Sequence, residues 1–290
     1  MKVKFWGVRG SIPTPGPETT RYGGNTTCLQ VVTDNGDLII LDAGTGIHAL
    51  ARQLPGKLPG TAHILITHTH WDHIHGLPFF TPLFVQGNQI KIYGGRDIDT
   101  GEGIERALNV QLQYCYFPII ESELKADLEY VTILAKKSFQ IGSATITPYL
   151  LNHPVINFGY KIDCDGKSIF FTGDYEPLTN HHSPNTVEFA NHQQMIESNL
   201  NELVQAITNI DALIIDASYT QEEYSSKHGW GHGTHSSSME LAEKAGVKQL
   251  FFTHHEPTRS DTELEEIFKN LKKNSDFEHY LAYEGLEILL

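Results

Sequence analysis

The chain of 290 residues is 40% apolar and 19% charged, proportions of a globular protein with one large domain or two small ones. Its formal net charge is −14 and no lysine- or arginine-rich run appears, which argues against a partner presenting a long phosphate backbone. A small anionic substrate stays open, because bound dications reverse the sign of a local site.

The opening MKVKFWGVRGSIPTPG reads as a strand and a loop, without the apolar core of a secretory leader. Two hairpins follow from turn chemistry. CLQVVT and DLIILD flank Asp34-Asn35-Gly36, and GYKID and SIFFTGD flank Asp165-Gly166, turns rich in residues that tolerate positive φ. Helices are expected near 46–54 and 101–113, and clearer 3.6-residue periodicity predicts them over 191–210, 236–246 and 261–274. Ser236 to Ser238 offer an N-cap for the second of these three, and Asp261 offers one for the third. Between them AHILIT, QIKIYG, SATITPYL, DALIID and KQLFFTH are short, β-branched or aromatic runs that read as strands. The pattern is α/β, and one domain over residues 1–290 is the economical organisation. Cys28, Cys115 and Cys164 are odd in number and scattered, so neither a disulfide framework nor a thiolate zinc site is expected. No stretch approaches the roughly 18 apolar residues of a membrane span, and a soluble, cytoplasmic protein is expected.

Residues 67–76, THTHWDHIHG, place four histidines and an aspartate within the eight positions from His68 to His75. Chance clustering on a solvated loop is the bland alternative in a chain with 16 histidines. His68 and His70 stand at i and i+2, so on an extended strand end both imidazoles face one side. Asp72 and His73 follow where the chain turns and can serve a neighbouring point. Ligands for two adjacent metal ions are therefore expected, since one tetrahedral site would leave donors over. Further donors stand at the ends of other apolar runs: His153 in LLNHPVINFG, Asp174 in FFTGDYEP and His254 in FFTHHEP. Singly, each is an ordinary loop residue. LDAGTG and LIIDAS end strands in the same way, and α/β sites gather where strands end.

This HxHxDH run, followed in order by a distant His, Asp and His, resembles the metallo-β-lactamase superfamily of hydrolases. The resemblance implies a four-layer αβ/βα sandwich with a dinuclear site at one edge of two sheets. It assigns His68, His70 and His153 to one ion, Asp72, His73 and His254 to the other, and Asp174 as the bridge. His255 competes for the last place, and His254 is preferred because the family's ligand directly follows its strand. His75 falls outside the motif. Asp42 in LDAG is expected to support the ligand loop by hydrogen bonds. A histidine at position 70, where the flavo-diiron branch has a glutamate, argues against an oxygen-reducing site, and no cysteine stands where many true β-lactamases have one. Two divalent ions are implied, zinc first, with manganese or iron able to use the same donors. Glyoxalase II-type thioesterases share the motif, so it does not select a substrate.

DASYTQEEYSSKHGWGHGTH (216–235) is similar to the ribonuclease Z and small phosphodiesterase branch, in which a carboxylate orients a histidine at the scissile phosphate. Carried over, Asp216 pairs with His232, with His235 the weaker rival; a simple helix-capping loop is the alternative. VRGSIPTPGPETTRYGGNTTCLQV is similar to the opening of the same branch. Its Gly23-Gly24-Asn25-Thr26 is a candidate anion cradle, with Asn25, Thr26 and Arg21 as substrate contacts. Ribonuclease Z also carries a long, basic, glycine-rich arm, and no such arm is found in residues 94–143, where acidic residues outnumber basic ones. The stretch at 181–186, HHSPNT, reads as an insertion able to cover the pocket. The expected activity is hydrolysis of a small phosphodiester, cyclic nucleotides foremost, with Asp72, His232 and Asp216 catalytic. Cleavage of RNA 3′ ends, thioester hydrolysis and metal-bound sensing without turnover are the alternatives. The partners expected are a small anionic diester and a second copy of the chain in a homodimer, with no extended nucleic acid and no membrane.

Overall fold

The computed structural model describes residues 1–97, 100–274 and 277–290. Both predicted hairpins form. Strands β2 (Cys28–Val32) and β3 (Leu38–Leu41) pair antiparallel, with Gly36 at φ 89° in their turn. Strands β9 (Asn157–Cys164) and β10 (Lys167–Phe171) pair through Asp165 at φ 57° and Gly166 at φ 72°. Two left-handed residues in a row match the twist of the strands they join.

These hairpins seed two sheets of seven strands. The first adds β1 (Lys2–Gly7), β4 (Ala62–Leu65), β5 (Gln89–Gly94), β6 (Asp127–Thr132) and β14 (Glu287–Leu289), in the order β14-β1-β2-β3-β4-β5-β6. The second adds β7 (Phe139–Ile141), β8 (Ala144–Leu151), β11 (Ala212–Asp216), β12 (Gln249–Thr253) and β13 (His279–Leu281), in the order β13-β12-β11-β10-β9-β8-β7. Each sheet is antiparallel in one half and parallel in the other, β3 to β6 and β10 to β13. The central strands read as unbroken apolar runs because both their faces are buried. In β3, Ile39 and Leu41 enter the core between the sheets while Ile40 packs outward. In β11, Ile214 faces inward and Leu213 and Ile215 outward.

Helices cover both outer faces, completing the four-layer αβ/βα sandwich. On the first sheet lie α1 (Gly46–Ala51), the short α2 (Trp71–Ile74) and α3 (Ile104–Gln111). α4 (Val187–Ala206), α6 (His235–Ala245) and α7 (Asp261–Asn274) belong to the second, with α5 (Gln221–Lys227) at its rim. Some ends differ from the sequence expectation for local reasons. α4 starts earlier because Thr186 accepts the Phe189 N–H and caps it, and it stops at Ala206, where Ile207 leaves the helical conformation. Thr234, rather than Ser236 to Ser238, caps α6 by accepting from Ser237 N, and Gly246 at φ 64° ends it. Before α7 the cap is Ser260, whose Oγ accepts the Glu263 N–H while the Glu263 carboxylate accepts the Ser260 N–H. The Asp261 carboxylate instead accepts the N–H groups of Arg21 and Tyr22. All three cysteines are free, and no described helix is long and apolar enough to cross a membrane.

Candidate metal centre

The parallel halves of both sheets end at one edge. His68 follows β4, Asp42 follows β3, Asp174 follows β10, Asp216 ends β11 and His254 follows β12; His153 arrives from the end of β8. Seven of the predicted donors meet there as two sets sharing Asp174: His68, His70 and His153 on one side, Asp72, His73 and His254 on the other.

The two oxygens of Asp174 divide between these sets. Oδ2 lies 3.5 Å from His68 Nε2 and 3.7 Å from His153 Nε2. Oδ1 lies 3.1 Å from both His73 Nε2 and His254 Nε2. Asp72 Oδ2 closes the second set, 3.3 Å from His73 Nε2 and 3.1 Å from His254 Nε2. In the first set His70 Nδ1 stands 3.0 Å from His68 Nε2 and 3.1 Å from His153 Nε2. Two ligands of one tetrahedral zinc, with Zn–N of about 2.05 Å, sit about 3.3 Å apart, so the spacing fits a shared ion.

Two further observations fit cations. His73 Nε2 and Asp174 Oδ1 are buried and face one another without hydrogen-bond alignment, an arrangement that buried polar atoms rarely keep without a third partner. Charge points the same way. Burial lowers the pKa of His68, His70 and His153, keeping these imidazoles neutral, as ligands must be. Burial opposes ionisation of Asp72 and Asp174, but the facing histidines hold both carboxylates ionised. The same acids raise His73 and His254 against burial, so the second set collects positive charge.

The surrounding hydrogen bonds decide which ring nitrogen faces inward. Asp42, fully buried at φ 60°, accepts from Thr67 N at 2.7 Å and contacts His73 Nδ1 at 2.7 Å. Thr67 Oγ1 meets His68 Nδ1, Ser218 Oγ meets His254 Nδ1, and the Gly231 carbonyl meets His153 Nδ1, at 3.1, 3.1 and 3.0 Å. Such partners orient metal-binding imidazoles and set their tautomers. His254 is itself at φ 58°, and its ring lies against Gly10, where any Cβ would come within 2.3 Å of it.

Above the cluster opens a cleft of about 420 Å³ lined by Ser11, Thr69, His70, Trp71, Asp72, Asp174 and His232. His232 Nδ1 is 2.7 Å from Asp216 Oδ2. Asp216 is fully buried and also accepts from Tyr175 N, Ser218 N and Ser218 Oγ. Burial works against a charged His232, but the Asp216 carboxylate and its hydrogen bond outweigh it and raise the imidazole to about 9.

The rival histidines turn away. His255 contacts the Ala282 carbonyl at 2.8 Å and burial lowers it to about 3. His235 contacts the Tyr219 carbonyl at 2.9 Å and is lowered by burial to about 4. His75 is exposed beside Trp71. The predicted substrate contacts need correction. Arg21 lies against α7, 3.2 Å from Glu265 and 3.7 Å from Asp261, which draw its guanidinium away from the cleft. Asn25 is held by Glu284 through both its backbone and side-chain N–H groups. Thr26 exchanges hydrogen bonds with Thr45, N–H to Oγ1 in both directions, and is fully buried. The Gly23–Thr26 turn is thus a structural clasp, since its N–H groups at 23, 25 and 26 are already used. The 181–186 stretch runs exposed before α4 and does not line the cleft. Sequence reasoning missed Ser11, at φ 60°, whose N–H donates to Asp72 Oδ2 at 2.8 Å. VRGS follows an apolar strand just as the other site loops do, and that signal was available.

The model of the beta-lactamase superfamily domain matches residues 38–255, which include every donor described. The chain therefore belongs to the beta-lactamase superfamily, and its class is that of metal-dependent hydrolases. It is 22% identical to the ribonuclease Z of Staphylococcus haemolyticus, over 97% of this chain and 96% of that one. It is 29% identical to the ribonuclease Z of Staphylococcus epidermidis over 164 residues, and this match spans only about half of that protein, 49%, and 56% of this chain. Among solved structures the fold is similar to the metallo-beta-lactamase fold protein YhfI of Bacillus subtilis (TM-score 0.69, 19% identity, 99% and 98% of the two chains). It is also similar to the short form of human tRNase Z (0.67, 19%, 100% and 99%). A diphosphatase of the PhnP family gives 0.66 at 18% identity, over 100% and 97%.

Proposed function

We propose that the chain is a two-metal phosphodiesterase for small diesters, cyclic nucleotides foremost. His68, His70 and His153 would hold one divalent ion and Asp72, His73 and His254 the other, with Asp174 facing both sets. The observation that carries this reading is the division of Asp174, one oxygen toward each set of imidazoles. Zinc suits so histidine-rich a set, and manganese or iron uses the same donors. When bound, two such ions polarise a phosphoryl oxygen and lower the pKa of a water molecule.

The chain's own residues supply the remaining chemistry. Asp72, fixed by the Ser11 N–H, orients the attacking water on the cleft floor and takes its proton. His232 is anchored through Nδ1, which leaves Nε2 for the cleft. As the phosphorus–oxygen bond breaks, the leaving oxygen keeps the electron pair and takes the Nε2 proton. Trp71 is the one large planar side chain lining the cleft and is 79% exposed. A base or other flat group of the substrate stacks on such a face.

Cleavage of RNA 3′ ends is the second reading, favoured by the ribonuclease Z names of the relatives. The net charge of −14 and the excess of acidic over basic residues in 94–143 favour the small diester. The test is turnover of bis-p-nitrophenyl phosphate by protein of known metal content, followed by a cyclic-nucleotide panel, a precursor transfer RNA and a thioester. Diester turnover abolished by His68→Ala supports the reading, with preference for cyclic nucleotides over the precursor. Preference for the RNA moves the second reading forward; thioester turnover alone, or none, refutes both.

A further inference from the structure

Glu176 has no part in the chemistry proposed above, yet it is a carboxylate only 4% exposed, two residues beyond Asp174. Its partners lie in the loop that carries His232 and in α5 just before it. Oε1 accepts from the Gly229 N–H at 2.8 Å and from the Tyr224 hydroxyl at 2.7 Å, and Oε2 accepts from the Gly231 N–H at 2.7 Å. Gly229 and Gly231 sit at φ 83° and 91°, where other residues are strained. At Gly231 a Cβ would also come within 2.4 Å of His153 Nδ1. A loop of two left-handed glycines has many conformations when free, and Glu176 selects one by accepting two of its N–H groups.

The selected conformation touches both halves of the site. Gly231 gives its N–H to Glu176, its carbonyl meets His153 Nδ1 at 3.0 Å, and His232 is the next residue. The Glu176 backbone is joined in both directions to Asn152, the neighbour of His153, through Glu176 N to Asn152 O and Asn152 Nδ2 to Glu176 O.

We infer that Glu176 is a positioning residue, which holds the Gly229–Gly231 loop so that His232 reaches the leaving oxygen. This inference rests on the phosphodiesterase reading. It requires that loss of Glu176 harms the step that uses the His232 proton more than the step that does not. Glu176→Gln is the informative change. With its carbonyl kept toward Gly229 and Tyr224, the new amide NH2 meets the Gly231 N–H, donor against donor, and displaces the residue beside His232.

The experiment compares bis-p-nitrophenyl phosphate with diphenyl phosphate, the same diester without its nitro groups. The nitrophenolate leaves without much help, whereas phenolate is the stronger base and needs the proton. In the metal-loaded enzyme, Glu176→Gln should lower kcat/KM for diphenyl phosphate by about 10²-fold, the scale of a misplaced general acid, and for the nitro compound by only about 3-fold. The ratio of the two rates cancels any loss of folded protein. Tyr224→Phe, which keeps both glycine contacts, should leave the ratio near that of the parent, and Glu176→Asp, retaining both oxygens, should lie between the two. His232→Ala run beside them separates the two ideas. If His232→Ala discriminates between the substrates and Glu176→Gln slows both equally, the inference is overturned and the proposed function stands. If His232→Ala does not discriminate, the acid role falls and the inference with it.

Discussion

Asp42→Asn should weaken one of the two metal positions and spare the other. The carboxylate is fully buried, with Oδ1 toward the Thr67 N–H and Oδ2 toward His73 Nδ1, both at 2.7 Å. In the variant the amide oxygen keeps the Thr67 N–H and the NH2 group turns to His73. His73 Nδ1 must then accept, which moves the ring proton to Nε2, the atom facing Asp174 Oδ1. Loss of such a supporting partner costs about 10–100-fold in metal affinity, equal to about 1.4–2.8 kcal/mol. A hydrogen bond to a charged group contributes about 1.5–3 kcal/mol, so two independent scales agree. The assay is a two-step metal-binding isotherm in chelator-buffered solution. Expected is a shift of one step by 10–100-fold while the step belonging to His68, His70 and His153 stays within about 3-fold. Two equal shifts, or none, refute the assignment of Asp42 to His73 and of His73 to its own ion.

Other outcomes follow from the same geometry. His232 is raised from 6.5 to about 9 without cations, and bound cations oppose its charge, so kcat/KM falls as pH rises through a value between these limits. Asp216→Asn moves that alkaline limb to lower pH, and an unmoved limb in the pH–rate profile removes the pair from the mechanism. Arg9 is fully buried, donating to the carbonyls of Gly23 and Arg259 at 2.8 and 2.7 Å and lying 3.7 Å from Asp261. Arg9→Ala strands these acceptors and should cost about 3–5 kcal/mol in urea unfolding; a loss below 1 kcal/mol contradicts that account. Trp71→Ala should raise KM for a nucleotide or aryl diester about 10-fold while leaving dimethyl phosphate turnover unaltered, measured by steady-state kinetics. An equal change for both substrates denies a stacking role.

The seven candidate donors were legible from two local signals: His68, His153, Asp174 and His254 stand within three residues of the end of an apolar strand, and His70, Asp72 and His73 complete the histidine-rich run that carries the family resemblance. The hairpin at Asp165-Gly166 was legible for a similar reason, since few residues accept two consecutive positive φ values. The substrate contacts failed because Arg21, Asn25 and Thr26 answer to partners far along the chain, at Asp261, Glu284 and Thr45. No local pattern around residue 21 reports that a helix beginning 240 residues later will take its guanidinium. The cap of α6 failed for a smaller reason. Four candidate hydroxyls stand in Thr234 to Ser238, and the extended backbone at Thr234 chose among them.

By itself, then, the chain's order of residues determined most strand and helix types and marked the candidate histidines and aspartates, while the four-layer architecture and the division of the donors into two sets were expectations from a family resemblance. The first depend on periodicity, turn chemistry and strand endings, all short-range properties. Only the tertiary structure decided between His254 and His255, divided the oxygens of Asp174 between two sets of imidazoles, and brought Ser11 and Glu176 to the site. Those depend on which way a side chain turns at a strand end, and on contacts between residues as distant as His254 and Asp72, 182 positions apart. Packing of the two sheets sets such directions, and no window of local sequence contains it.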